Sequence, residues 1–123
     1  MIKQKETYKE KAQWLKLVEW VEINIFNYDV SYQRLQRKSC FILKGLSKGQ
    51  IVANNNYKSN ADYPLDVVLM AFKANKVKIQ DSIKNKTFSS EDKKMLYVCS
   101  IVRNDLEDIY NRYLKVIQKN KEV

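Results

Sequence analysis

The 123-residue sequence contains no histidine, two glycines and one proline. Without histidine, the chain lacks a Ser-His or Cys-His catalytic pair, a His-ligated zinc site and an imidazole general base. Its glycines, Gly45 and Gly49, do not have the spacing of a phosphate-binding loop or a dinucleotide fingerprint. These absences exclude most enzyme classes. We therefore expect a noncatalytic protein with no cofactor and no metal.

Cysteine is also scarce and long apolar runs are missing. Cys40 and Cys99 each stand beside apolar residues and outside any CxxC motif, which favours reduced, buried thiols over a disulfide or a reactive thiol. The longest apolar run, Val67 to Phe72, is far shorter than the roughly 20 residues that cross a bilayer. The N-terminus has no uninterrupted apolar stretch of a secretory signal. We expect a soluble, cytoplasmic protein without membrane contacts.

Apolar residues recur at helical spacing along the chain, and no alternating pattern persists long enough to predict a strand. The expected fold is an all-α, single-domain bundle of about four helices over residues 1–123, with a long C-terminal heptad helix. The four predicted helices run from about Thr7 to Phe26, from about Ser31 to Leu46, from Pro64 to about Lys84 and from about Ser90 to Gln118.

Capping residues and turn residues separate the predicted helices. Asn75 permits a bend within the third helix, and residues 47–61, rich in asparagine, predict a mobile polar loop. The predicted caps are Asp29 or Ser31 for the second helix, Asp62 for the third, and Ser89 or Ser90 for the last.

The first and last helices have the broadest apolar surfaces. In the first helix, Leu15, Trp20 and Ile23 widen the apolar face beyond one stripe, which predicts a central position in the bundle. The last helix has a heptad seam that suits either the inner face of a bundle helix or a homodimer. The seam consists of Met95, Cys99, Val102, Leu106, Ile109, Tyr113 and Val116.

Most of the net charge of +9 lies in the middle of the chain. Residues 30–86 carry eleven basic side chains and three acidic ones, a net of +8, whereas residues 1–29 are neutral. No acidic residue occurs between Val30 and Ala61. The basic side chains of this segment therefore have no oppositely charged neighbours in sequence and remain available to a polyanion.

One face of the predicted second helix combines these cations with an aromatic residue. Neutralising phosphates with such side chains releases counterions, which makes nucleic acid the leading candidate partner. Tyr28, Phe41 and Tyr57 are the aromatics placed to stack on unpaired bases. A solvated, solubility-promoting face and an acidic protein partner are the alternatives. The candidate nucleic-acid-binding residues are Arg34, Arg37, Lys38, Phe41, Lys44, Lys48 and Lys58.

Other side chains support weaker hypotheses. Glu19 with Glu22, and Asp105 with Asp108, each lie one helical turn apart. We interpret both pairs as solvated carboxylates, with Asp108 paired to Arg112, although a metal-dependent nuclease with dispersed ligands is an open alternative. A protein-binding inhibitor or adaptor is the second functional class. Its candidate interface is an exposed apolar patch formed by Tyr97, Ile101 and Leu114.

The order of parts between Tyr32 and Leu96 resembles the ArpU-type phage late-transcription regulators of Gram-positive bacteria. The similarity rests on a Tyr-x-x-Leu-x-Arg helix at Tyr32–Arg37, a loop with lysine and glycine, an apolar-basic helix and a Glu-Asp-Lys-Lys-Met-Leu start at Glu91–Leu96. In that family a helix-turn-helix follows, whereas here a continuous heptad helix is predicted. The resemblance implies a phage or plasmid regulator and assigns no residue a role.

Overall fold

The computed structural model describes residues 8–50 and 62–121 of the chain, and these residues form five α-helices and no strand. The all-α prediction is confirmed, with one helix more than expected. The helices are α1 (Tyr8–Asn24), α2 (Arg37–Ser47), α3 (Leu65–Ala74), α4 (Lys76–Ile83) and α5 (Glu91–Lys121). The predicted loop at 47–61 begins with the end of α2 and a turn at Lys48 and Gly49, and its part at 51–61 lies outside the described residues.

The start of α2 differs most from the prediction, because the helix begins at Arg37 and not at Ser31. Asp29 caps a local turn, in which its carboxylate accepts hydrogen bonds from the Ser31 N–H (3.0 Å) and hydroxyl (2.6 Å). Gln36 then has an extended backbone, with φ −69° and ψ 157°. The expected helix cap at Asp29 or Ser31 is therefore wrong, and Tyr32, which lies within the predicted helix, precedes α2 and is 76% exposed.

The predicted third helix is divided at Asn75 into α3 and α4. Asn75 is buried, and its side-chain amide donates to the Ala71 carbonyl at 2.9 Å while its own carbonyl accepts from the Ile79 N–H at 2.8 Å. Its backbone, at φ −102° and ψ 9°, leaves the α-helical region. The bend expected at Asn75 is thus a complete break, which accounts for the fifth helix.

The first turn of α3 is capped by a backbone carbonyl and not by the expected Asp62 side chain. Pro64 occupies the N-cap position, and its carbonyl accepts hydrogen bonds from the Val67 and Val68 N–H groups. The predicted cap at Asp62 is wrong, because the Asp62 carboxylate instead pairs with Lys48 at 2.9 Å. The predicted start of the last helix is confirmed, since the Ser90 carbonyl accepts from the Lys94 N–H directly before α5.

The helices pack in a simple order around α3 and α5. Helix α5 packs against α2 and α3, and α3 also packs against α1. Phe72 on α3 is fully buried in the core that these helices share. Helix α1 thus lies at an edge of the bundle, so its predicted central position is wrong, and Leu15 and Ile23 on its outer side remain exposed.

The heptad seam of α5 is buried over its first half only. Met95, Cys99, Val102 and Leu106 are at most 1% exposed, which confirms the inner-face alternative for this half. Ile109 and Tyr113 are partly buried, and Val116 is 58% exposed. With 31 residues, α5 is about 46 Å long and is longer than each of the other helices.

Both cysteines are free thiols, as predicted. Cys99 is fully buried in the core, and burial raises its pKa to about 12. Cys40 is partly buried, and burial raises its pKa as well. Both thiols are therefore protonated and unreactive near neutral pH. Within residues 8–50 and 62–121, none of the helices is both long and apolar enough to cross a membrane.

Candidate nucleic-acid interface

The outer face of α2 carries a straight row of basic and aromatic side chains. Arg37, Phe41, Lys44 and Lys48 follow one another at intervals of four, three and four residues, which places them within one narrow arc of the helix. Lys38 lies beside the row. We call these five residues the basic stripe. From Arg37 to Lys48 it extends over about 16 Å of helix rise.

Aromatic rings lie next to two cations of the basic stripe. The Arg37 guanidinium carbon lies 5.5 Å from the centre of the Phe41 ring, and Phe41 is itself 42% exposed. Lys44 Nζ lies 6.0 Å from the centre of the Trp14 ring on α1. Such cation–π contacts orient the charged groups on this side of the helix.

Two lysines of the basic stripe form ion pairs that the sequence did not predict. Lys38 Nζ lies 3.2 Å from the Asp92 carboxylate, and Lys48 Nζ lies 2.9 Å from that of Asp62. Hydrogen bonds from Ser90 and from Lys38 hold the pKa of Asp92 below its usual value. The lysine side chains remain 73% and 40% exposed, and exposed pairs of this kind are weak and screened by salt.

Arg34 is not part of the basic stripe, because it precedes α2 and its side chain binds a carboxylate of α1. Its Nε donates to both carboxylate oxygens of Glu22, at 3.1 and 3.0 Å. The hydrogen bond to Glu22 is the main reason why the pKa of Arg34 is raised. Glu22 is fully buried at the end of α1 and also accepts the Leu35 N–H at 2.7 Å. The prediction that Arg34 remains unpaired is therefore wrong, because its partner lies outside the acid-free segment.

Tyr28 is also part of the fold rather than of an open stacking surface. Its hydroxyl donates to the Glu91 carboxylate at 2.6 Å, and its ring lies 5.4 Å from that of Phe26. Burial, followed by the hydrogen bond to Glu91, raises the pKa of Tyr28. Of the predicted stacking residues that the structure describes, Phe41 is thus the one that remains on the basic face. Two predicted residues, Tyr57 and Lys58, lie outside the described residues.

Glu91 holds the first turn of the basic helix in place. One of its carboxylate oxygens accepts hydrogen bonds from the Gln36 N–H at 2.8 Å and from the Ser39 hydroxyl at 2.5 Å. The carboxylate therefore lies at the N-terminus of α2 as well as in the first turn of its own helix, where a negative charge is favoured. Sequence reasoning assigned Glu91 to α5 alone, because nothing local in the sequence indicates a contact across 55 positions.

Comparison of the whole sequence with models of known protein families gives a match over its full length. The family model described as "SPbeta prophage protein YorH" matches residues 1–123. The chain belongs to this family. It is therefore a phage-associated protein, which confirms the phage origin implied by the resemblance above; the match does not support the likeness to ArpU-type regulators. No curated protein and no solved structure matches the chain.

The residues predicted for a protein interface do not form one exposed patch in this YorH-family chain. Tyr97 is partly buried, with its ring 5.6 Å from that of Phe88 and 5.0 Å from Lys86 Nζ. Ile101 is partly buried against the core, and Leu114 is 43% exposed. The expected exposure is wrong for the first two residues, so the patch is reduced to Leu114.

The paired carboxylates have different environments. Glu19 is exposed, but Glu22 is buried and bound to Arg34, so the expected solvated pair is wrong for Glu22. Asp108 and Arg112 form the predicted ion pair at 2.8 Å. In the described parts of the chain, no three acidic or cysteine side chains come together as a group suited to a metal ion.

Proposed function

We propose that this phage-family protein is a noncatalytic regulator that binds the backbone of nucleic acid through the basic stripe of α2. The observation that supports it best is the alignment of Arg37, Lys44 and Lys48 with an exposed Phe41 on one side of a single helix. A rise of about 16 Å matches several phosphates, because duplex DNA carries one charge per ~3.4 Å of each strand. Contacts to phosphate position a protein without reading the base sequence.

The charge distribution along α2 favours an anionic ligand over a merely soluble surface. The helix contains no acidic residue, and two cations, Arg37 and Lys38, lie in its first turn. Positive side chains at the positive end of a helix dipole are unfavourable unless an anion is nearby. The Glu91 carboxylate supplies part of that negative charge. A phosphate at the same helix end would supply more, since helix N-termini favour anions.

The ion pairs of the basic stripe are compatible with binding. The Lys38 and Lys48 side chains are exposed although both are paired to carboxylates, and a phosphate can compete for exposed lysines at little cost. Arg37 forms no ion pair within the described residues and offers a planar fork of donors that suits a phosphate. Phe41, at the centre of the row, offers a ring for a base that is not paired. We expect the protein to act in the cytoplasm.

The proposal is tested by fluorescence anisotropy with short duplex and single-stranded oligonucleotides over a series of salt concentrations. We expect binding at low salt, with a slope of log K against log salt of about −3, equivalent to three or four phosphate contacts. The variant Arg37→Glu/Lys44→Glu should abolish binding. The variant Lys78→Glu/Lys115→Glu changes the net charge equally at exposed positions of α4 and α5 and should bind nearly as well as the unmodified protein.

Two results contradict the proposal. One is the absence of binding to either oligonucleotide at low salt. The other is an equal loss of affinity in both variants, which would show a nonspecific effect of net charge. Recovery of one stoichiometric acidic protein by affinity purification, resistant to nuclease and lost with Arg37→Glu/Lys44→Glu, would instead assign the basic stripe to a protein partner.

A further inference from the structure

Helix α1 has an outer face that the other described helices leave partly exposed. Its inner side, including Leu17 and Val21, is fully buried, but on the outer side Leu15 is 52% exposed and Ile23 is 43% exposed. A shallow groove of about 370 Å³ follows this outer side. It is lined by Lys16, Glu19, Trp20, Ile23 and Asn24. All five lining residues belong to α1, and Trp20 and Ile23 are the apolar ones among them.

Two apolar and two charged residues follow one another along the middle of this exposed side. Ala12, Lys16, Glu19 and Ile23 recur at intervals of four, three and four, and they form the centre line of the exposed side. Leu15 lies on one flank of this line and Trp20 on the other. We call this set of six residues the α1 face.

The charges on the α1 face are complementary to those of a second, antiparallel copy of the same face. Consider a second α1 packed antiparallel on this face, with a two-fold axis perpendicular to the helix at the level midway between Leu17 and Val18. Lys16 then lies opposite Glu19 of the second copy. The same operation places Ala12 opposite Ile23 of the second copy. Because the contact is isologous, each pairing occurs twice. Neither Lys16 nor Glu19 forms a salt bridge within the described residues, so both charges can pair across such an interface.

The balanced charge of α1 also favours a second copy of this chain over a strongly charged partner at the α1 face. The chain has a net charge of +9, but the excess lies in residues 30–86, and helix α1 itself contains three lysines and three glutamates. Trp14, which contacts Lys44 of α2, points away from the α1 face. Antiparallel pairing through α1 therefore keeps the two basic stripes away from the shared interface and avoids repulsion between them.

From this self-complementarity we propose that the protein forms a two-fold homodimer through antiparallel packing of the α1 faces. The dimer is expected to be reversible, because one helix from each chain buries less area than a standard interface. It differs from the dimer predicted through α5, whose seam is mostly buried in the bundle and has Val116 as its exposed residue, with Leu114 exposed beside the seam. The proposal does not depend on nucleic-acid binding.

Sedimentation equilibrium of the full chain tests the dimer at concentrations from about 5 to 500 µM, a range suited to a small interface. Lys16→Glu places two pairs of like charges across the two-fold axis and should raise the dissociation constant at least about tenfold, as should Glu19→Lys. The double variant Lys16→Glu/Glu19→Lys exchanges the charges and should restore the affinity. Both substitutions are at exposed positions, and circular dichroism verifies the fold of all three variants.

A second pair of variants distinguishes the α1 face from α5. Ile23→Lys should abolish the dimer, whereas Leu114→Lys/Val116→Lys should leave it intact. The proposal is overturned if the protein is monomeric over the whole range, or if the α5 variant dissociates the dimer and Ile23→Lys does not. It is also overturned if the charge exchange in the double variant fails to restore an affinity that both single variants have lost.

Discussion

Arg34 and Glu22 are twelve residues apart, and yet Arg34 Nε contacts both oxygens of the Glu22 carboxylate, at 3.1 and 3.0 Å. The carboxylate is 1% exposed, whereas the arginine side chain is 55% exposed. The pair therefore closes the junction between α1 and the segment that leads into α2. It also removes one cation from the acid-free segment and leaves the basic stripe to residues of α2.

Substitution of Glu22 tests this junction directly. Glu22→Ala should lower the free energy of unfolding by about 1–3 kcal/mol, because the Leu35 N–H loses its acceptor in a buried position. Glu22→Gln should cost less, since its amide oxygen still accepts that hydrogen bond. Urea denaturation measures both values. Equal losses for the two variants would show that the hydrogen bond to Leu35 does not stabilise the junction.

The two neighbouring arginines should differ in their effect on stability. Arg34→Ala should destabilise the protein because it leaves the buried Glu22 carboxylate without its counterion. Arg37→Ala, at an exposed position without an ion pair among the described residues, should leave the urea midpoint nearly unchanged. The reverse pattern, with Arg37 more important for folding than Arg34, would contradict the assignment of Arg37 to a binding surface.

Glu91 should be the acidic residue of α5 on which α2 depends most. Glu91→Ala removes the acceptor of three hydrogen bonds, from Tyr28, Gln36 and Ser39. We expect a loss of about 1.5–3 kcal/mol, the value of a hydrogen bond to a charged group. Hydrogen exchange should increase in the first turn of α2. Glu107→Ala, at an exposed position of the same helix, is the control and should change neither quantity.

The pH dependence of stability should reveal the contribution of Asp92. The folded protein holds the pKa of Asp92 below its ordinary value of 3.8, first through Ser90 and then through Lys38. A lowered carboxylate pKa stabilises the fold fully above that ordinary value and progressively less as the pH falls through the folded-state pKa. The difference in melting temperature between the unmodified protein and Asp92→Asn should therefore be greatest near neutral pH. A difference that does not shrink as the pH falls below 3.8 would contradict this assignment.

Two leucines of α5, Leu106 on the seam and Leu114 beside it, provide a matched test of how far the core extends along this helix. Leu106 is 1% exposed, and Leu106→Ala should cost about 2–5 kcal/mol because it creates a cavity. Leu114 is 43% exposed, and Leu114→Ala should change stability by less than about 0.5 kcal/mol. Chemical denaturation measures both variants. Similar losses would mean that the second half of α5 is packed as tightly as the first.

Local patterns were sufficient to predict several elements. The start of α5 follows from Ser90 and the acidic residues Glu91 and Asp92, and its buried seam follows from the heptad spacing. A bend at Asn75 was predicted, and the side chain that forms it competes for a backbone carbonyl. These features depend on residues within one or two turns of each other, so they are visible in the sequence.

Longer-range contacts account for the incorrect predictions. The extended segment before α2 is held by Glu22 and Glu91, which come from either side of it in sequence, so no local signal marks Arg37 as the first helical residue. The wide apolar surface of α1 predicted a central helix, but a pattern of residue types does not tell how many neighbouring helices are present to cover it.

The sequence by itself determined the helical class, the heptad helix, the reduced thiols and the concentration of positive charge in the middle of the chain, because periodicity and composition act locally. Only the tertiary structure decided which cations remain on the surface and which helix faces remain uncovered. Those properties depend on partners such as Glu22 for Arg34 and Asp92 for Lys38, which meet only when distant segments pack together.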